Sequence, residues 1–485
     1  MKDRSIVIEP VTRIEGDARI IITLDETGNA RTVHYQVLEL RGFEAFCRGR
    51  YAEEMPRIAQ AICGVCSTPH HLASAKAVDT LYGRKPPEAA VKIREFVHHV
   101  YMIDDHLLHF AVMALPDLLV EGANTVRGFV DIVKRYPEIV KKLINARALT
   151  SGILERLCGK SIHMPIAIPG GVSRRPSRED LEFVEKRVKE LKEHILFALD
   201  LFKHSVLKSQ KVVECMKGEE YSLKTYYMGL VGTDGSLSMY DGILKVVDWK
   251  GREVMTFKPE EYTKYIAEHH EEWSYSKFPY LVHVGWRGFE EESTVRVGPL
   301  ARLNVCSKLP TELASEEYKV MREFFGNEKI VNNTLAYHWA RLIENVHAYE
   351  VVERILTENR DSILRDEVVN FEGKPLYEGV GIVEAARGVL IHHYKVDQNF
   401  IVKEVNVITP TAINNAAINT QLRKIVIGKG TLDYKDPDLA DLVARLEMAV
   451  RAFDPCNSCA THTAGSHTVK LLIYDSRGNL VKVIS

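Results

Sequence analysis

The sequence has 485 residues, of which 46% are hydrophobic and 27% are charged, so it has the composition of a folded globular protein and not of a disordered one. The 64 Lys and Arg against 66 Asp and Glu give a net charge of -2, which offers no overall positive field for nucleic acid or an anionic membrane. No uncharged apolar run approaches the roughly 20 residues that cross a bilayer, and the first residues carry no apolar signal core. The 8 cysteines are too sparse for a disulfide scaffold and are typical of reduced thiols in the cytoplasm, where paired cysteines indicate metal or redox chemistry.

The first half of the chain changes from a strand pattern to a helix pattern. Residues 1–50 alternate between apolar and polar, and Glu26-Thr27-Gly28-Asn29 predicts a hairpin turn between two of the strands. Residues 52–217 have the three- and four-residue apolar spacing of helices. The clearest helix is predicted over 177–217, where Ser177 followed by Asp180 resembles a capping box.

The second half is less uniform. Residues 220–307 predict a mixed, strand-rich part, and 311–462 predict helices that lead to a C-terminal cysteine motif. The last segment predicts a hairpin that turns at Ser476-Arg477-Gly478-Asn479. The predicted fold class is α+β, with a core of long helices and peripheral antiparallel β segments near the N-terminus and in the middle. We expect 1–462 to form one domain and 463–485 to be a C-terminal extension.

Two cysteine pairs with C-x-x-C spacing lie at opposite ends of the sequence. They are Cys63 with Cys66 and Cys456 with Cys459. One such pair alone often belongs to a redox dithiol or to half of a structural zinc site, because two intervening residues let both sulfurs reach one metal. Zinc ribbons usually bring their second pair within a few tens of residues, so this separation disfavours that interpretation. Four thiolates meeting in a deep site also suit nickel and iron.

Further motifs accompany the two cysteine pairs in a fixed order along nearly the whole chain. These motifs are Val11-Thr12-Arg13-Ile14-Glu15-Gly16, Arg41-Gly42-Phe43-Glu44, Cys63-Gly64-Val65-Cys66 with His70, Glu384-Ala385-Ala386-Arg387-Gly388, Thr409-Pro410-Thr411 before Asn414-Asn415, and Asp454-Pro455-Cys456-Asn457-Ser458-Cys459-Ala460-Thr461-His462. Taken together, they resemble the large, catalytic subunit of nickel-iron hydrogenases. The resemblance is strongest to the cytosolic multisubunit group, whose members are linked to methyl viologen, deazaflavin or NAD.

The resemblance implies a nickel-iron centre that cleaves dihydrogen heterolytically. All four cysteines would bind nickel, and Cys66 and Cys459 would also bridge to an iron that carries carbon monoxide and cyanide. The thiolate of Cys459 would be the first proton acceptor, and Glu15 would pass the proton onward. Standing alone, Glu15 would be interpreted as an ordinary residue at a strand end.

Other residues match supporting roles in the family. Arg387 would lie over the open metal positions, held by Asp117 and Asp454, although a buried ion pair also explains an arginine of this kind. Thr411 would donate a hydrogen bond to a cyanide ligand, and His70 would contact a bridging cysteine. Without the resemblance, Asp117 and Asp454 would be helix-end or turn residues, and His70 a packing residue.

A second metal and three departures from the family pattern complete the candidate site. Glu44 and His462 match the ligands of a magnesium-like ion near the proton exit. Ala61 stands where the family usually has Arg, Asp17 where it has His, and Ala386 where it has Pro. None of these changes removes a metal ligand, and we expect them to affect hydrogen bonding, rate or the face of a partner subunit.

The resemblance also implies partners, because the remaining cysteines are too few to bind a series of iron–sulfur clusters. We expect an iron–sulfur small subunit, further electron-transfer subunits of flavin, deazaflavin, nicotinamide or heterodisulfide reductase type, and a maturation endopeptidase with nickel chaperones. The endopeptidase would remove 463–485 after nickel insertion. Two alternatives remain open from sequence: a non-catalytic relative of the quinone-pocket subunit of respiratory complex I, which would lack the paired cysteines, and a zinc-binding assembly protein.

Overall fold

Helices and strands are interleaved along the chain in a computed structural model, which describes residues 4–119, 128–428, 430–432, 439–461, 471–474 and 480–484. The helices are α1 (Phe43–Cys47), α2 (Met55–Ala59), α3 (Ser67–Leu81), α4 (Glu88–Leu108), α5 (Leu115–Leu119), α6 (Phe129–Arg135), α7 (Pro137–Cys158), α8 (Arg178–His204), α9 (Gln210–Lys217), α10 (Pro299–Val305), α11 (Glu312–Phe324), α12 (Ala336–Glu358), α13 (Arg360–Ile363), α14 (Pro410–Val426) and α15 (Leu439–Phe453). The strands are β1 (Arg4–Ile8), β2 (Ala18–Leu24), β3 (Ala30–Val37), β4 (Ala167–Ile168), β5 (Gly171–Val172), β6 (Tyr226–Val231), β7 (Ile243–Val247), β8 (Glu253–Phe257), β9 (Ile266–His270), β10 (Lys277–Leu281), β11 (Val295–Arg296), β12 (Glu378–Ala385), β13 (Gly388–Val396), β14 (Val402–Ile408), β15 (Leu471–Tyr474) and β16 (Leu480–Ile484).

The N-terminal strands form the antiparallel sheet β1-β2-β3. Strand β2 alternates between buried and partly buried residues, so the period-two pattern of the sequence corresponds to one face packed on the interior. The predicted turn connects β2 to β3, and Gly28 adopts φ +87°, a left-handed conformation that favours glycine. The predicted strands and hairpin are confirmed, and the short helix α1 follows them within the first 50 residues.

Four long helices, α4, α7, α8 and α12, pack against one another. Helix α8 begins as predicted, because Ser177 Oγ accepts a hydrogen bond from the backbone N–H of Asp180 at 3.1 Å and the Asp180 carboxylate accepts one from Ser177 N–H at 2.9 Å. The helix ends at His204, and a separate helix, α9, covers the rest of the predicted 177–217 segment. None of the helices among the described residues combines the length and the apolar character needed to cross a membrane.

The antiparallel sheet β12-β13-β14 lies in the interior and contacts α3. This corrects the prediction that 311–462 is helical before the cysteine motif, and it adds an interior sheet to the peripheral β segments predicted near the N-terminus and in the middle of the chain. Helix α3 and β12 approach so closely that a Cβ added at Gly381 would lie 1.9 Å from the carbonyl oxygen of Ala73. Glycine in β12 is therefore required for the contact that brings α3 against the sheet. The chain is accordingly a mixed helix and sheet fold.

Helix α4 continues through a π-helical turn, His109–Ala114, directly into α5. The wider turn ends two residues before Pro116, whose ring and missing N–H oppose regular helical hydrogen bonding. The π-helical turn also changes the angular relation between residues on its two sides, which affects the candidate site described below.

The part from 220 to 307 is strand-rich, as predicted. Its main sheet has the order β11-β6-β7-β8, in which β11 pairs parallel to β6 and the other pairs are antiparallel. At the C-terminus β15 and β16 pair antiparallel, which confirms the predicted hairpin, whereas its turn lies outside the described residues.

Candidate metal centre

The four paired cysteines converge on one buried point. Their ligand atoms all lie within 4.8 Å of one another, and each residue is at most 4% exposed. The Sγ atoms of Cys63 and Cys456 are 3.4 Å apart, and those of Cys66 and Cys459, the pair predicted to bridge two metals, are 2.9 Å apart. Four sulfurs this close together can bind the same transition metal. The predicted convergence of the two ends of the chain is confirmed.

The first pair is positioned by the junction between a helical turn at Gln60–Ile62 and helix α3. Cys63 lies before the helix, and its Sγ accepts hydrogen bonds from the backbone N–H groups of Val65 at 3.3 Å and Cys66 at 3.4 Å. Such N–H donors stabilise a thiolate, which is the form that binds a metal. The local backbone of the C-x-x-C loop therefore fits a metal ligand.

The second pair is held by the N-terminal segment of the chain. The backbone of Glu15 pairs with Cys456 in a parallel bridge, and Asn457 N–H donates to Glu15 O at 3.0 Å. The side chain of Asn457 accepts a hydrogen bond from the hydroxyl of Tyr35, a buried residue of β3, at 3.0 Å. The first and last motifs of the sequence are therefore in physical contact, although they lie near opposite ends of the chain.

Burial disfavours the negatively charged thiolate form of these cysteines when no metal is bound. Burial raises the pKa of Cys66 to about 11 and raises the pKa values of Cys456 and Cys459 well above the ordinary thiol value. Hydrogen bonds from Cys456, Cys459 and Cys66 lower the pKa of Cys63. A divalent cation supplies the positive charge that keeps all four sulfurs deprotonated, so the donor set fits a thiolate-bound metal.

Arg387 is buried beside the cluster and makes three hydrogen bonds through its guanidinium. Nη1 donates to Asp105 Oδ2 at 2.9 Å, Nη2 donates to Asp454 Oδ1 at 3.1 Å, and Nε donates to the Asp454 carbonyl at 3.0 Å. Although burial itself lowers the pKa of Arg387, the charges of Asp105 and Asp454 outweigh it and raise that pKa above its ordinary value. The guanidinium is thus a fixed positive charge with little freedom to rotate.

The prediction that Asp117 holds Arg387 is wrong, and Asp105 takes this place. Asp117 instead accepts hydrogen bonds from Arg13 at 2.5 Å and from Arg451 at 2.9 and 3.0 Å. Arg13 belongs to the N-terminal motif, and Arg451 also donates to the carbonyl of Thr12 at 2.8 Å. Asp117 therefore ties the N-terminal segment to α15, which ends just before the second cysteine pair.

Thr411 lies at the start of α14, next to the cluster. Its hydroxyl oxygen accepts a hydrogen bond from Cys456 N–H at 2.9 Å, which leaves the hydroxyl hydrogen available to another acceptor. The same helix begins with Thr409 as its N-cap and Pro410 in its first turn. The predicted hydrogen bond from Thr411 to a cyanide ligand stays a prediction.

His70 contacts the second cysteine pair from α3. Its Nε2 lies 3.4 Å from Cys459 Sγ, and its Nδ1 lies 2.9 Å from Nε2 of His392 on β13. Burial lowers the pKa of His70 to about 4, so the ring is neutral near pH 7. His392 is not among the residues predicted from the sequence, although the His392-His393 pair in a run of strand-forming residues was a detectable signal.

Glu15 contacts the second pair through its side chain as well. Its carboxylate accepts hydrogen bonds from Ser458 Oγ and, at 3.2 Å, from Ser458 N–H. Burial raises the pKa of Glu15 and the charge of Cys63 raises it further, while hydrogen bonds from Ser458 and Cys456 oppose this shift. A carboxyl group with a raised pKa next to a thiol is suited to exchanging a proton with it.

Glu44 lies at a second cluster of polar groups. Its Oε1 accepts hydrogen bonds from Lys277 Nζ at 3.0 Å and from Val407 N–H at 2.9 Å. Lys277 Nζ is also 3.1 Å from Glu268 Oε1 and 3.1 Å from Asn406 Oδ1. Three side-chain oxygens thus surround the Lys277 ammonium, which occupies the position that a hard cation with oxygen ligands would take. His462, the other predicted magnesium ligand, lies outside the described residues.

The remaining motif residues have structural contacts. Glu384 accepts a hydrogen bond from Arg302 at 2.7 Å and one from Leu230 N–H at 2.7 Å, so it anchors the segment that carries Arg387. Ala386 is buried, whereas Ala61 and Asp17 are exposed on the isolated chain. Asp17 N–H donates to Glu39 Oε1 at 3.0 Å.

Known protein families match most of this chain. The family described as nickel-dependent hydrogenase matches residues 41–119 and 157–462, and a HoxL-like family matches residues 5–40. The chain belongs to the nickel-dependent hydrogenase family. The predicted resemblance is confirmed, and the two alternatives, a subunit of complex I type and a zinc-binding assembly protein, are not supported.

Curated relatives of this hydrogenase chain match it over nearly its full length. It is 38% identical over 490 residues, 99% of each chain, to an F420-non-reducing hydrogenase iron-sulfur subunit of Archaeoglobus profundus. It is 32% identical over 496 residues, again 99% of each chain, to the NAD-reducing hydrogenase HoxS subunit beta of Cupriavidus necator. These relatives are named as subunits of larger hydrogenases.

Solved structures agree with this assignment. An NAD+-reducing [NiFe]-hydrogenase in the H2-reduced state has a TM-score of 0.86 at 34% identity, covering 95% of this chain and 99% of that one. The Ni-Fe-Se hydrogenase of D. vulgaris Hildenborough has a TM-score of 0.72 at 22% identity, covering 95% of this chain and 100% of that one, and shows the same fold.

Proposed function

We propose that this hydrogenase chain is the catalytic subunit that cleaves dihydrogen reversibly into two protons and two electrons. The observation that carries the proposal is the convergence of Cys63, Cys66, Cys456 and Cys459 in a buried site of a chain of this family. When bound, a nickel-iron centre supplies the heterolytic cleavage of dihydrogen. The chain supplies the thiolates, the fixed charge of Arg387 and the groups that remove the proton.

The contacts of Glu15 favour Cys456, and not Cys459, as the first proton acceptor. Glu15 pairs with Cys456 through its backbone and accepts hydrogen bonds from Ser458 through its carboxylate, whereas the Cys459 sulfur lies beside the His70 ring. We propose that a proton on the Cys456 sulfur moves to Glu15. This revises the predicted route, in which Cys459 is the first acceptor.

Glu15→Gln is expected to lower proton exchange and turnover by about 10²- to 10⁴-fold, the usual contribution of a positioned acid–base group. The amide keeps the size and a hydrogen-bonding oxygen but cannot carry the proton. Isotope exchange between D2 and water measures the step, and metal content is expected to stay at the wild-type level. Glu9→Gln is the control, because Glu9 pairs with Arg19 on the same N-terminal segment. Wild-type exchange in Glu15→Gln would contradict this route.

Carbon monoxide and cyanide on iron and a magnesium-like ion belong to the proposal. The buried hydroxyl of Thr411 and the buried guanidinium of Arg387 are donors suited to cyanide. The oxygens of Glu44, Glu268 and Asn406 are the kind of ligand that magnesium takes, and the ion would have to displace Lys277 Nζ from among them.

Metal analysis of the mature complex tests the proposed function. We expect about one nickel and one iron per large subunit in this site, together with magnesium that is lost in Glu44→Gln. Stoichiometric zinc without nickel would reject the hydrogenase function. Nickel and iron without magnesium would reject only the cation site.

The electrons need a route out of this chain. We propose that the direct partner is an iron–sulfur small subunit, joined by further electron-transfer subunits of flavin, deazaflavin, nicotinamide or heterodisulfide reductase type. The names of the relatives as hydrogenase subunits support a multisubunit complex. The sparse cysteines support a cytoplasmic location, where thiols stay reduced.

Residues 463–485 are proposed to be removed by a maturation endopeptidase after a chaperone has delivered nickel. Cys459 and Ala460 are buried, so the chain reaches the end of the metal motif inside the protein. Intact mass of the active complex is expected to correspond to a chain ending at His462. A mass that includes 463–485 in active enzyme would reject this cleavage.

A further inference from the structure

A row of four buried hydrogen-bonding groups extends from Cys459 away from the metal centre. After His70 and His392, the Nδ1 atom of His392 lies 2.7 Å from the hydroxyl oxygen of Tyr394, and that hydroxyl donates to Ser74 Oγ at 2.8 Å. The side chains are all at most 2% exposed. The last two members have no role in the function described above.

The geometry of two neighbouring elements creates this row. His70 and Ser74 are four residues apart on α3 and therefore share one face of the helix. His392 and Tyr394 are two residues apart on β13 and share one face of the strand. The glycine-dependent approach of α3 to the sheet brings these two pairs into hydrogen-bond distance. The His70 and His392 rings meet edge to face, with centroids 5.2 Å apart and an interplanar angle of 85°.

The direction of each hydrogen bond is coupled to the next, because a neutral imidazole has one N–H and one acceptor nitrogen. When the Tyr394 hydroxyl donates a hydrogen bond to Ser74, the hydroxyl oxygen accepts a hydrogen bond from the Nδ1–H group of His392. The Nε2 atom of His392 then has no hydrogen, and it accepts a hydrogen bond from the Nδ1–H group of His70. The Nε2 atom of His70 is then an acceptor that faces a Cys459 thiol. This arrangement suits the protein before Cys459 binds a metal.

The opposite direction suits a metal-bound thiolate. A thiolate on Cys459 is an acceptor and requires an N–H on His70 Nε2. His70 Nδ1 must then accept from His392, whose Nδ1 must accept from the Tyr394 hydroxyl. Rotation of this hydroxyl from Ser74 to His392 provides the donor, and both histidines change tautomer while remaining neutral.

We propose that Tyr394 is a positioning residue that directs an N–H group, through His392 and His70, onto the sulfur of Cys459, which would bridge to iron in the proposed centre. The hydrogen bond would withdraw electron density from that sulfur and thereby from the iron, as groups that hydrogen-bond to metal ligands generally do. Tyr394 thus sets an electronic property of a centre that it does not touch. This inference rests on the proposed function.

Infrared spectra of the matured complex test the inference. In Tyr394→Phe the donor is lost, so the sulfur gives more electron density to iron and the carbon monoxide band is expected to move to lower frequency. Tyr227→Phe is the matched control, because Tyr227 is equally buried and its hydroxyl donates to Asn332 at 2.8 Å, away from the cysteines. Its spectrum is expected to equal that of the wild type.

A second variant removes the partner that the hydroxyl leaves. In the metal-bound protein the Tyr394 hydroxyl already donates to His392 and not to Ser74, so Ser74→Ala is expected to keep the carbon monoxide band at the wild-type frequency. This variant tests the inference even where Tyr394→Phe does not mature.

Unchanged bands in Tyr394→Phe, or a downward shift in Ser74→Ala as large as the one in Tyr394→Phe, would overturn the role of Tyr394 and leave the hydrogenase function intact. Absence of carbon monoxide and cyanide bands from the wild-type complex would instead overturn the proposed centre, and the inference with it.

Discussion

Cys456→Ser is expected to abolish dihydrogen turnover and to lower the nickel content of the purified protein. The Cys456 sulfur lies 3.4 Å from that of Cys63 and 2.8 Å from that of Cys459. Its replacement therefore removes a sulfur ligand that lies between two others. Loss of a group that only hydrogen-bonds to a metal ligand lowers metal affinity or activity by about 10- to 100-fold. We expect loss of a direct ligand to lower them by a larger factor. Nickel analysis and hydrogen-dependent dye reduction measure both effects.

Cys158→Ser provides the control for this substitution. Cys158 is the last residue of α7 and lies outside the four-sulfur cluster. We expect it to keep wild-type nickel content and turnover. Full nickel content and wild-type turnover in Cys456→Ser would show that the cluster is not the metal centre.

Arg387→Lys is expected to leave the metals bound and to lower dihydrogen activation by about 10²- to 10³-fold, the cost of losing one preorganised charged donor. Lysine retains the charge but cannot make the three hydrogen bonds through which the guanidinium contacts Asp105 and Asp454. Metal content and D2 exchange separate loss of the centre from loss of activation.

Arg94→Lys is a matched control for the removal of a buried guanidinium. Arg94 is fully buried and pairs with Asp79 at 2.6 Å, away from the cysteines. We expect this variant to lose thermal stability and to keep the turnover of each nickel-containing molecule. Unchanged turnover in Arg387→Lys would remove Arg387 from the mechanism.

The convergence of the cysteines was predictable from sequence because it rests on spacing and on order. Each C-x-x-C pair can present two sulfurs to one metal, and the intervening motifs occur in the order of one family. The hairpin after β2 and the cap of α8 were predictable for a similar reason, since each depends on residues that are close in sequence.

The partner of Arg387 was not predictable in the same way. Asp105 and Asp117 lie twelve residues apart. In a regular helix, the directions of two side chains at this separation differ by about a third of a turn around the helix axis. The π-helical turn at His109–Ala114 lies between them and changes that relation. Only the folded geometry shows that Asp105 faces Arg387 while Asp117 faces Arg13 and Arg451.

The interior sheet was missed for a related reason. Strands β12 and β13 are buried on both faces for most of their length, so their residues form nearly continuous apolar runs. Such runs lack the alternation that identifies a half-exposed strand. The row from His70 to Tyr394 depends on this sheet, so it could not be predicted from the sequence either.

X-ray absorption at the nickel edge of the mature complex tests the four-sulfur centre most directly. The first coordination shell is expected to contain four sulfur atoms, with an iron atom in the next shell, and the sulfur number is expected to fall in Cys456→Ser. A nickel shell made mainly of nitrogen and oxygen, without a neighbouring iron, would contradict the convergence of the two cysteine pairs on one catalytic centre.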